Sequence, residues 1–177
     1  MSDDDSTTAS SLAQFTDPDE FRENGVPFHV RADTVPESVV DEVDGMDDLA
    51  PTGVVAPDGT VLATRVEDDC ALKIPCAAVG ADDAYGVAAR EWVEGLTGLD
   101  VGLDGVEGVW TIELTSEESD RTATRHFVVC RASPVDADRR PPVPDQSVPA
   151  EDRPAAGWYE SLPDDAERPP GTDLFLG

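Results

Sequence analysis

Apolar positions recur at every second residue in several stretches of the chain and with helical spacing in two others. TGVVAPDGTVLATRV (52–66) is the clearest extended signal. Two β-branched runs flank Pro57-Asp58-Gly59, which predicts strands joined by a tight hairpin turn. CALKIP (70–75) is a further short extended segment ending at a proline. DGVEGVWTIEL (104–114) and TATRHFVVCRAS (122–133) are two more strands, joined by the acidic loop SEESD. The first helical stripe is Val39, Val40 and Val43, with Thr34 as N-cap, Pro36 in the first turn and Gly45 as the stop. The second helix is expected over roughly 84–96, capped by Asp82 or Asp83 and ended by Thr97-Gly98. AAVGADD, just before it, reads as a loop of small residues. GWYESLPDDAE (157–167) predicts a hydrophobic anchor and a closing helical turn. Together these elements predict an α/β fold, a mixed β-sheet sandwiched by helices.

Around this pattern the chain divides simply. Residues 1–20 are polar and acidic and read as a disordered leader. Residues 21–177 read as one domain, with 134–156 a surface connection rich in Pro, Asp and Arg. A length of 177 residues suffices for a single domain with a real core.

Charge changes the picture more than length does. The formal net charge is -27, from 39 acidic and 12 basic residues, and Lys73 is the only lysine. The acids are spread along the chain, a composition like that of halophilic archaea. At molar salt the Debye length falls to roughly 3 Å, which screens the self-repulsion such a chain would suffer in dilute buffer. The competing reading is an acidic protein that binds a basic partner. Either way, attraction to nucleic acid backbone is disfavoured, so no nucleic-acid partner is expected.

The opening MSDDDSTTASSLAQFTDPDEF has no basic n-region and no apolar h-region, and no apolar run approaches the ~20 residues needed to span a bilayer. The expectation is a cytoplasmic protein with no membrane partner. Cys70, Cys76 and Cys130 are odd in number and form no C-x-x-C pair, which argues against a disulfide framework or zinc knuckle. They read as buried thiols acting as small hydrophobes.

VAAREWVEGLTGL (87–99), the hairpin VVAPDGTVLATR, LKIPCAAV, HFVVCRA and WYESLPDDAE carry a resemblance to the Nudix hydrolase superfamily. That family's box reads G-x5-E-x7-R-E-U-x-E-E-x-G-U, with U a bulky aliphatic residue, on a loop-helix-loop that follows a strand ending Leu-Pro-Gly-Gly. The resemblance spans roughly residues 50–177 and implies a Nudix-type α/β/α sandwich. It also implies helix carboxylates that bind magnesium, which polarises a pyrophosphate and activates water.

Laid without gaps, the box keeps its length and loses its chemistry. Ala77 stands at the first Gly and Asp83 at the first Glu, while Glu91 and Trp92 stand at Arg-Glu. Gly95 and Leu96 replace the paired carboxylates, and Gly98 and Leu99 match the end. A rival register, slid by one, matches Arg90-Glu91 to Arg-Glu and Glu94 to the next carboxylate. Glu91 and Glu94 are three apart and share a helix face. Such a slip rotates side chains by about 100°, so it requires a shortened loop and a π-bulge to re-aim the acids.

In the gapless register Trp92 and Leu96 lie at i and i+4 on the former metal face. They either pack as extra core or, with Cys76 nearby, line a pocket for an aromatic or apolar ligand or a partner. Ala89, Val93 and the Val87 region are expected to carry the core contacts. His29 and His126 are read as structural, Glu113, Glu117 and Glu118 as solvated surface, and Gly80 and Gly86 as punctuation.

The resemblance then implies one of two functions. In the first, the hydrolase box is degenerate, a pseudoenzyme, and the chain binds a nucleotide-like small molecule or a partner protein. In the second, a magnesium-dependent hydrolase of a nucleoside-diphosphate derivative survives in the shifted register, with Asp83, Glu91 and Glu94 as metal carboxylates. A plain structural remnant is the third reading.

Overall fold

The computed structural model describes residues 14–64, 72–135, 156–162 and 166–176. The first element is α1 (Pro18–Glu23). Asp17 Oδ1 accepts the Asp19 N–H at 2.9 Å, and Pro18 sits where a helix needs no donor. Phe21 is buried, edge-on to Phe15 and Tyr85 at centroid distances of 5.3 and 5.7 Å. The leader expected over 1–20 is therefore too long: residues 18–20 are helical and Phe15 packs on the core. Residues 1–13 lie outside the described residues.

β1 (Phe28–Val35) has no counterpart among the expected strands. Its sequence alternates, Phe28, Val30 and Ala32 against His29, Arg31 and Asp33, but at this sheet edge both sets are largely exposed. Thr34 is in this strand and caps nothing. The helix that follows, α2 (Glu37–Asp44), starts after Pro36 and ends at Gly45.

β2 (Asp48–Val54) and β3 (Val61–Thr64) flank the expected turn. Ala56 N–H donates to Thr60 O at 2.9 Å, Asp58 Oδ1 accepts Thr60 N–H and Oγ1–H, and Gly59 takes φ +89°. Beyond a single bridge at Val55 and Val61, however, the two strands separate into different sheets. In the CALKIP segment, Lys73 bridges Thr64. Cys70 and Ala71 lie outside the described residues.

AAVG is not a loop: Cys76–Val79 forms β4, antiparallel to β2 with Leu49 opposite Ala78. Small side chains hid an alternation in which Ala77 and Val79 are buried and Ala78 is exposed. Then come α3 (Tyr85–Thr97), β5 (Val101–Ser116) and β6 (Thr122–Pro134). Residues 136–155 of the Pro-rich connection lie outside the described residues. The closing segment begins with a strand, β7 (Ala156–Tyr159), not with a helical turn, because Gly157 to Tyr159 pair with β3. Residues 163–165 are likewise outside, and a single 3-10 turn, Thr172–Leu174, comes last.

The strands form one mixed sheet in the order β1-β5-β6-β2-β4 and a small antiparallel pair, β3-β7. β1 runs parallel to β5 and β2 parallel to β6; the other pairs in the large sheet are antiparallel. Side chains alternate along β5, so Val109 and Leu114 project from opposite faces. Val109 packs with Phe21, Tyr85 and Ala89, whereas Leu114 packs with Val39 and Val40. α3 and α2 therefore cover opposite faces of the large sheet. β3, β7 and the C-terminal turn enclose a further cluster around Ile74, Leu162 and Leu176.

Candidate functional site

α3 owes its position to a buried stripe. Tyr85, Ala89 and Val93, each four residues apart, face the sheet and are almost fully buried. Its N-terminus has no side-chain cap. Asp83 instead closes its own turn, with Oδ2 accepting the Gly80 N–H at 3.1 Å and the Asp83 N–H donating to Gly80 O at 3.0 Å. Tyr85 N–H donates to Phe15 O at 3.0 Å, so the chain before α1 satisfies one of the donors left over at the helix start. At the other end Gly98 takes φ 73° and returns its N–H to Glu94 O, the left-handed stop the sequence predicts.

A second stripe, rotated from the first, borders an open groove of about 300 Å³ between α3 and β4. Ala77 and Ala78 of β4 form one side, and Ala84, Val87 and Ala88 the helical wall. Among the described residues the charged ones on this lining are Asp83 and Glu91, and Trp92 completes it, 37 % exposed. The structure thus brings Asp83, Glu91 and Trp92 together. Glu94, Leu96 and Cys76 are not part of this lining.

Glu94 is held elsewhere. Its Oε2 accepts the Val101 N–H at 3.2 Å, and its Oε1 stands 4.0 Å from Arg90 Nε. α3 is regular α-helix along its whole length, with no inserted residue to re-aim these acids. Glu91 and Glu94 therefore do not converge on the 76–83 segment. Asp83 and Glu91 are the two carboxylates on the groove, and among the described residues no group of three or more His, Cys, Asp or Glu stands close enough to hold a metal. A Cβ built at Gly95, where the family carries a carboxylate, meets nothing within 4 Å.

A cluster the sequence did not suggest lies past the start of the same helix. Tyr85 Oη donates to Asp48 Oδ2 at 2.5 Å, His126 N–H donates to Asp48 Oδ1 at 3.0 Å, and His126 Nδ1 stands 3.4 Å from Oδ2. Burial alone would raise the Asp48 carboxyl. The hydrogen bonds from His126 and Tyr85, with the charge of His126, outweigh it and hold the group below its ordinary value. Burial first, then the bond to Asp48 and its charge, push the Tyr85 phenol far upward. These residues are 37 and 78 positions apart, so no local spacing betrays them.

Cys76 is half-buried, and burial pushes its thiol up to about 11; Cys130 is fully buried, which raises it to about 12. Both are therefore protonated near neutral pH, as expected of small hydrophobes. His29 stacks on Trp110 at 4.4 Å between centroids. Glu113, Glu117 and Glu118 are exposed. Among the described residues no helix is long and apolar enough to cross a membrane.

In comparisons with known proteins, the chain matches no family model and no curated relative. The class that the geometry defines is accordingly the coarse one: an α/β domain built on a mixed sheet, with a helix-bordered groove beside an edge strand.

Proposed function

We propose that the chain is a Nudix-type binding module, a sandwich that keeps the family's order of elements around a groove that holds a small ligand without cleaving it. The observation that carries this reading is the facing of one helix. Trp92 borders the groove, while Glu94, the acid a shifted catalytic register would need, accepts the Val101 N–H. The hairpin turn at Pro57-Asp58-Gly59, the helix over 85–97, β6 further along and the buried Leu162 of the closing element support the same order. The indole offers a flat apolar platform, and the alanines opposite leave room beside it. The resemblance implies a nucleotide-like ligand; the groove itself offers an indole, small apolar side chains and two carboxylates.

The test is paired. Trp92→Ala should abolish saturable capture of a ligand that shifts the Trp92 indole signal, with ADP-ribose as the first probe. Calorimetric titration with Mg2+ in high-KCl buffer should show no saturable site that Glu91→Gln or Glu94→Gln removes. A saturable magnesium site lost in both glutamine variants, together with hydrolysis of a nucleoside-diphosphate derivative, would replace this reading with the hydrolase.

A further inference from the structure

We infer that the groove between α3 and β4 is a site for a small organic cation, an alkylated ammonium carried on a compact apolar body. The inference rests on the binding-module reading and names the class of ligand. Three features of the lining carry it. Among the described residues the charged side chains on the groove, Asp83 and Glu91, are both acidic, and no described Lys, Arg, hydroxyl or amide side chain joins them. Neither the Glu91 carboxylate nor the Trp92 indole is engaged by another described residue; the neighbouring cation, Arg90, turns to Glu94. Trp92 stands beside Glu91 on the helix, and tryptophan is the aromatic residue whose face attracts cations most strongly.

The alternatives fare worse on the same observations. A phosphate or carboxylate ligand would sit against two carboxylates with no basic partner among the described residues, inside a chain of net charge -27. A neutral apolar ligand would cover Glu91 and strip its water with nothing in exchange. A cation with an apolar shell does neither: its charge meets the carboxylates and the indole face, and its methyl groups meet Ala78, Ala88 and Val87. A volume of about 300 Å³ fits a small ligand and not a folded partner. Lacking donors of its own, a quaternary ammonium also asks for no acceptor geometry that the alanine wall does not supply.

The experiment uses the full chain and follows the Trp92 indole N–H by NMR, assigned with Trp92→Phe. The probes are choline, its neutral isostere 3,3-dimethylbutan-1-ol, and ADP-ribose. The expected result is saturable binding of choline at least tenfold tighter than the isostere. Glu91→Gln should weaken choline at least fivefold and leave the isostere unchanged. Glu91 is exposed, so this variant is expected to fold, which circular dichroism checks. Equal binding of choline and its isostere, or an unaltered choline affinity in Glu91→Gln, overturns the cation assignment. So does capture of ADP-ribose without choline, which leaves the binding-module reading standing. An indole signal that none of the probes moves overturns both.

Discussion

Glu94 Oε2 accepts the backbone N–H of Val101 at 3.2 Å, a bond that closes the corner between α3 and β5. Its neighbour one turn back, Glu91, faces the groove instead. Two acids that look alike on a helical projection thus have different surroundings, one bonded to the backbone and one on the groove. Glu94→Ala is expected to cost about 1 kcal/mol, because Val101 is buried and its donor loses a charged acceptor. The urea midpoint should fall with an unchanged slope, and groove binding should be untouched. Loss of groove binding at unchanged stability would assign Glu94 to the site.

Gly95 lies in the interior of α3, exposed, and a Cβ there meets nothing within 4 Å. Gly95→Ala should therefore stabilise the fold by about 0.5–1 kcal/mol, read as a rise in thermal midpoint, since helical glycine loses more chain entropy than alanine. A decrease would mean that the helix surface is covered there.

Asp48 is held below the ordinary carboxylate value of 3.8 by its bonds to His126 and Tyr85. The sign follows from linkage: the stabilisation is complete above the unfolded-state value and is lost as pH falls through the lower folded-state one. Asp48→Asn should thus be less stable than wild type near neutral pH. The gap should narrow as denaturation is followed below pH 3.8. A gap independent of pH would show that the carboxylate's charge is not what holds the cluster.

The Cys76 thiol, pushed up to about 11 from 9.0 by burial, should alkylate slowly at neutral pH in a Cys70→Ser background. Its rate should keep rising toward pH 11, where an ordinary thiol has levelled off. The linked stability is fully present below about 9 and lost as pH rises toward 11. A rate plateau near 9 would contradict this.

Gly171 takes φ +88°, and an added Cβ would stand 2.6 Å from Val129 Cγ1. Gly171→Ala is expected to cost about 2 kcal/mol or more, combining left-handed strain with overpacking. Differential scanning calorimetry checks it; a neutral outcome would mean the C-terminal turn carries little of the stability.

How much of this was legible depends on whether a residue's neighbours in sequence are also its neighbours in space. The stop of α3 at Gly98 and the turn at Gly59 were legible, because a single glycine at positive φ is a local demand. β1 carried a short alternation, Phe28, Val30 and Ala32 against His29, Arg31 and Asp33, but it marks no buried face, because the strand lies exposed at the sheet edge. β4 was missed because two alanines and a cysteine ahead of Val79 carry little contrast between faces, and its alternation exists only against β2. At the groove, Asp83, Glu91 and Trp92 were each marked in the sequence by their place in the box. Which of them would share a surface with Ala77 depended on how α3 rolls against the sheet.

By itself the sequence determined the acidic surface, the α/β class, the extent of the second long helix and the residue types available at the groove. These follow from composition and from periodicities only a few residues long. Tertiary structure decided the rest: that β2 and β3 part into different sheets, that Asp48 joins Tyr85 to His126, and that Glu94 serves Val101. Each depends on contacts between segments far apart in the chain, where packing, not local preference, sets the geometry.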